Sequence, residues 1–122
     1  MNISDATVLV TGANRGLGKA LVDEALRRGA KRIYAGARQP FSHVDSRVTP
    51  LVLDITDAAT IRAAVQEVDT LDVLINNAGI SLLNDLGDRT ALEQLLAVNL
   101  YGPYDVTQAF LPVLTRSRSA IA

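Results

Sequence analysis

A chain of 122 residues, 48% hydrophobic and 20% charged, suits one soluble globular domain that buries about two-thirds of its unfolded surface. A net charge of −1 with the two signs interspersed excludes the basic field that nucleic acid or an anionic membrane would require. Zero cysteines exclude disulfides, thiol catalysis and cysteine-ligated metal, so no metal site is expected.

The N-terminus lacks signal-peptide form, because Asn2, Ser4 and Asp5 interrupt any apolar run. No apolar stretch approaches the roughly 18 residues of a membrane span. The expectation is a cytoplasmic protein with neither a membrane nor a nucleic-acid partner.

In chain order, the β-branched and apolar run Thr7–Thr11 predicts a strand. It breaks into Gly12, Gly16 and Gly18, and helical periodicity then runs over Gly16–Arg28, with Leu17, Leu21 and Ala25 on one expected core face. A second strand is expected over Arg32–Ala37, then a polar connection containing Pro40 and Pro50. A third strand is expected over Leu51–Asp54, and a helix over Ala58–Val68 buries Ile61, Ala64, Val65 and Val68 with Asp57 as its N-cap. A fourth strand, Asp72–Ile75, precedes a helical region from about Asp88. Within that region Thr90–Val98 reads as one helix with an apolar face of Leu92, Leu95 and Leu96. A last helix, ending near Arg116, carries Val106, Ala109, Phe110, Val113 and Leu114 on its packing face. Pro112 lies inside it and predicts a kink or an early end. Alternation of this kind implies a doubly wound parallel sheet with helices on both faces.

The chemistry gathers where strands end. A glycine-rich turn between strand and helix lets backbone N–H groups approach an anion, and the helix N-terminus adds the positive end of its dipole. The spacing Gly12-x-x-x-Gly16-x-Gly18 differs from the usual dinucleotide fingerprint, whose second glycine follows the first after one residue. A Walker A loop is the nearest competitor because Lys19 follows Gly18. It fails because Ala20 stands where Ser or Thr would hold magnesium, and Ala13 stands where the first glycine belongs. The bland alternative is a glycine-rich turn with no ligand.

Twenty residues past Gly18, where an acid would hold a ribose 2′-hydroxyl, the chain has Ala37-Arg38. A guanidinium pairs with phosphate, so Arg38, with Arg15 from the glycine loop, argues for NADP over NAD. The bland alternative is a pair of solvated surface charges. Asp54 ends an apolar strand, where it either accepts from an adenine amino group or closes an Asx-turn or helix cap. Asn76-Asn77-Ala78-Gly79 suits a backbone that passes closely along a ligand. Asn99 continues the Leu92 stripe at i+7. It either ends its helix in a left-handed conformation ahead of Gly102-Pro103 or is a buried amide holding a water or a backbone group.

Together Thr11-Gly12-Ala13-Asn14-Arg15-Gly16-Leu17-Gly18, Asp54, Asn76-Asn77-Ala78-Gly79 and Val98-Asn99-Leu100-Tyr101-Gly102 resemble the N-terminal half of a short-chain dehydrogenase/reductase, over essentially the whole chain. The resemblance implies one NAD(P)-binding Rossmann domain over residues 1–122, with the incomplete strand order 3-2-1-4. It also implies hydride transfer between the cofactor and a small-molecule carbonyl or alcohol. On it, Gly12, Gly16 and Gly18 carry over as the pyrophosphate loop, with Asn14, Arg15 and Leu17 as further cofactor-binding residues, and the Ala37-Arg38 pair resembles the NADP-preferring members. Asp54 carries over as the adenine contact, Asn77 and Ala78 as nicotinamide-side ribose contacts, and Asn99 as the Asn of a catalytic tetrad, with Ile55 and Gly79 as further cofactor-binding residues. Homo-oligomers are implied for the full-length family member.

The family's Ser and Tyr-x-x-x-Lys have no counterpart. Positions four after Tyr34, Tyr101 and Tyr104 are Arg38, Asp105 and Gln108, and the only lysines are Lys19 and Lys31. Ser117 and Ser119 follow the last helix too closely to be the strand-end serine. With later strands missing, Asp72–Ile75 is expected as an open apolar edge, so the chain reads as a truncated part of an enzyme or a product that associates. The alternative is a catalytically silent dinucleotide-binding or interaction module.

Overall fold

The computed structural model describes residues 2–80, 88–116 and 120–121. Ser117 and Ser119 lie outside the described residues. Five strands, β1 (Thr7–Val10), β2 (Arg32–Ala37), β3 (Val48–Val52), β4 (Val73–Ile75) and β5 (Ala120–Ile121), form one sheet in the order β3-β2-β1-β4-β5. Every neighbouring pair is parallel. The helices are α1 (Gly16–Arg27), α2 (Ala58–Glu67), α3 (Arg89–Leu96) and α4 (Gly102–Thr115), with a π-helical turn, Ala97–Tyr101, between the last two.

Alternation along the strands distributes the core to both faces of the sheet. Val8, Val10, Ile33, Ala35 and Val73 pack with Val22 and Ala25 of α1. Leu9, Leu51 and Leu74 pack on the opposite side with Ile61 and Ala64 of α2 and Val106, Phe110, Val113 and Leu114 of α4. The expected faces of α2 and α4 are therefore the observed ones, Val65 and Ala109 lying partly buried at their margins. Asp57 and Asp88 cap α2 and α3, accepting from the backbone N–H of Ala59 at 3.0 Å and of Thr90 at 2.9 Å.

Five expectations are corrected. The third strand begins earlier than expected and includes Pro50, which stands opposite Ala35. Because β3 is an outer strand, the missing proline N–H leaves no gap in a central ladder. The fourth strand is not an open edge, since β5 pairs with Val73 and Leu74. Of the kink or early end expected at Pro112, the early end is not found, since helix α4 runs to Thr115. The proline sits in the last turn on the exposed side, so only one intrahelical bond is lost while Phe110, Val113 and Leu114 remain buried. Leu17 is 68% exposed, and Val22 takes its place beside Ala25 in the core. Finally, Thr90–Val98 is not a single helix with a buried stripe: α3 stops at Leu96, and Leu92 and Leu96 remain exposed.

Candidate functional site

The carboxyl ends of β1, β2, β3 and β4 open onto one cleft of about 610 Å³. Open α/β sheets bind ligands at this end, where loops leave neighbouring strands in opposite directions. The β1–α1 loop contributes Gly12, Asn14, Arg15, Gly16 and Leu17, and the end of β2 contributes Ala37, Arg38 and Gln39. Leu53 to Thr56 come from beyond β3, Asn77 to Ile80 from beyond β4, and Val98 from the π-helical turn. All the expected cofactor residues thus line one cleft, with the exception of Gly18.

Gly18 acts behind the loop. A Cβ there would lie 2.0 Å from the Gly12 carbonyl oxygen and 2.6 Å from Asn77 Nδ2, so only glycine allows α1 to start this close to β1. Gly12 and Gly16 adopt φ of 63° and 57°, in the left-handed region that favours glycine. Arg15, the N-cap residue of α1, is extended and provides no side-chain cap, which leaves the first helical amides available to an anion.

The loop is held by a residue that sequence reasoning did not single out as part of the site. Thr11 is 1% exposed, and its hydroxyl accepts from the backbone N–H of Asn77 and of Ala78, each at 3.0 Å. Asn77 Nδ2 returns the connection, donating to the carbonyls of Thr11 at 3.1 Å and Gly12 at 3.2 Å. The β4 exit and the glycine loop are therefore one braced unit. A buried hydroxyl at the end of an apolar strand was the available signal.

Asp54 takes the local role that was left open for it and also lines the cleft. Its Oδ1 accepts from Thr56 Oγ1 at 2.7 Å and Thr56 N at 2.9 Å, an Asx-turn. The Thr56 hydroxyl and amide, with a contribution from the Arg38 charge, hold its carboxyl below the ordinary range. Among the described residues neither Arg15 nor Arg38 forms an ion pair.

Asn99 is exposed, not buried, and does not end its helix in a left-handed conformation. Its Oδ1 accepts from Ile80 N at 2.8 Å and its Nδ2 donates to Ile80 O at 2.7 Å. Of the expected buried amide, the backbone partner is found and the burial is not. A π-helical turn places it there, a feature often found at functional positions. Asn76 donates to Thr107 Oγ1 at 3.1 Å and so ties β4 to α4.

A five-stranded parallel sheet with a glycine loop and a cleft across its strand tips defines the open α/β nucleotide-binding class. The short chain dehydrogenase family profile matches residues 6–121, and the chain belongs to that family. It is 36% identical over 135 residues to short chain dehydrogenase tazN of Aspergillus terreus, covering 96% of this chain and 29% of that protein. Among solved structures, it resembles a short chain dehydrogenase from Burkholderia cenocepacia in complex with NADP, with a TM-score of 0.94 and 36% identity. That match covers 99% of this chain and 53% of the other. An NADPH-bound carbonyl reductase from chicken fatty liver matches with a TM-score of 0.87 and 30% identity over 97% of this chain and 56% of that one. The chain spans about half the length of these solved relatives. Among the described residues no helix is long and apolar enough to cross a membrane.

Proposed function

We propose that the cleft binds NADP and that the chain is the cofactor-binding part of an oxidoreductase acting on a small-molecule carbonyl or alcohol. The observation that carries this reading is the meeting of the glycine loop, Arg15, Arg38, Asp54 and Asn77 to Gly79 on one cleft of about 610 Å³. When bound, the dinucleotide would give a hydride to a carbonyl in its reduced form or take one from an alcohol in its oxidised form. The amides at the start of α1 would hold its pyrophosphate, and Arg15 and Arg38, which form no ion pair among the described residues, would hold its 2′-phosphate. The side of the Asp54 carboxylate not engaged by Thr56 meets the adenine amino group. Ala78 and Gly79 border the nicotinamide ribose, on a backbone that Asn77 and Thr11 hold still.

Asn99 spends its amide on Ile80, so in this reading it is a positioning residue for the nicotinamide side. In the whole protein, homo-oligomers are part of the same proposal.

Titrating the full chain with NADPH and NADH tests the cofactor. NADPH is expected to bind more tightly, and Arg38→Asp to shift the preference to NADH. No binding of either, or an unchanged ratio in Arg38→Asp, overturns the assignment.

A further inference from the structure

Gly102 is the first residue of α4, at φ −58° and ψ −57°. Any residue adopts this right-handed helical conformation, and alanine is ordinarily the better helix former there. Backbone conformation therefore does not explain the glycine. Space does: a Cβ on Gly102 would lie 2.6 Å from Ile55 Cδ1, 2.8 Å from its Cγ1 and 3.3 Å from its Cβ.

Ile55 is only 6% exposed and is enclosed by the cluster that includes Leu53, Ile61 and Val106. It also lines the cleft, beside Asp54. Ile55 thus borders both the start of α4 and the cleft.

We propose that Gly102 is a positioning residue that sets the width of the adenine end of the cleft, by letting α4 approach until Ile55 is seated against it. The proposal rests on the dinucleotide reading given above. A side chain at position 102 drives Ile55 into the space an adenine ring would take, or lifts α4 and unseats Ile55. A further reason for glycine is its neighbour Pro103, whose ring disfavours a Cβ on a preceding helical residue. Shortening Ile55 relieves the first conflict and not the second.

The test uses the full chain with two probes, NADPH and 2′,5′-ADP, and four proteins: wild type, Gly102→Ala, Ile55→Val and Gly102→Ala/Ile55→Val. The double variant conserves volume, since the carbon added at 102 is removed at 55. Gly102→Ala is expected to weaken both probes about tenfold, and the double variant to recover part of that loss, because valine keeps the carbon that stands 2.8 Å from the added Cβ. Thermal unfolding of each protein without ligand verifies that it is folded. Should the double variant fold poorly, Gly102→Ala/Ile55→Ala replaces it and removes both close carbons. Wild-type affinity in Gly102→Ala, or a loss that no shortening of Ile55 restores, overturns the proposal. A loss seen with NADPH but not with 2′,5′-ADP does so too, because the adenine end is then unaffected. If wild type binds neither probe, the dinucleotide reading itself has failed and this inference falls with it.

Discussion

Asn99 and Ile80 are joined by two hydrogen bonds that use both ends of the Asn99 amide, across nineteen residues of sequence. The π-helical turn is thereby latched to the chain that leaves β4. A Cβ on Gly79 would come within 3.1 Å of Asn99 Oδ1, so a side chain there would press on this latch.

Removing that latch has a local signature. Asn99→Ala is expected to cost about 1–2 kcal/mol, since a net hydrogen bond contributes roughly 0.5–1.5 kcal/mol and the exposed Ile80 groups can turn to water. The amide of Ile80 is expected to exchange with solvent faster than in wild type, read by NMR hydrogen exchange. Unchanged protection of Ile80 in Asn99→Ala would sink the idea.

The Thr11 hydroxyl carries two amides that cannot easily find water. Thr11→Val keeps the shape and removes the acceptor, leaving the N–H groups of Asn77 and Ala78 without it. A loss of roughly 2 kcal/mol or more in urea unfolding is expected, with Thr11→Ser close to wild type. Equal stability of the Val and Ser variants would show that the hydroxyl does not brace the loop.

At Gly18 the smallest change suffices. Alanine places its Cβ where the Gly12 carbonyl oxygen stands 2.0 Å away, so the glycine loop must move. Gly18→Ala is expected to abolish NADPH binding in a fluorescence titration while leaving the far-ultraviolet circular dichroism of the sheet and helices intact. The bulkier Gly18→Val behaves alike. Normal NADPH affinity in a folded Gly18 variant refutes the close approach.

Acid sensitivity has a surface component at the end of α1. The Arg27 hydrogen bond, then that of Arg28, holds the Glu24 carboxyl at about 2, below its ordinary 4.5. A lowered folded value means that the contribution is present above pH 4.5 and disappears as pH falls towards 2. Asp45 behaves the same way through Arg47, between 3.8 and about 2. The difference in urea midpoint between wild type and Glu24→Gln is therefore expected at neutral pH and should close in acid. These groups are exposed, so salt also shrinks the difference. A difference that persists unchanged in strong acid contradicts the pairing.

The amino-acid sequence by itself determined the features whose causes lie within a few residues of one another. Asp57 and Asp88 cap helices whose amides are two positions away, and Gly12 and Gly16 take the left-handed angles their loop requires. Alternating apolar residues assign Val8 and Leu9 to opposite sides of a sheet wherever that sheet lies. The order of strands and helices followed, and with it the place of the cleft.

Tertiary structure decided what depends on partners distant in the chain. Periodicity put Leu17 in the core, but in the folded chain it is exposed on the cleft and Val22 is buried instead. Pro50 argued against a strand until the sheet order made β3 an outer one. Thr11 meets Asn77 across 66 residues, and Gly102 meets Ile55 through packing alone. Local sequence chooses backbone conformations because their energies are local. Which side chain ends beside which, and on which side water lies, is settled only when separate elements close on a common core.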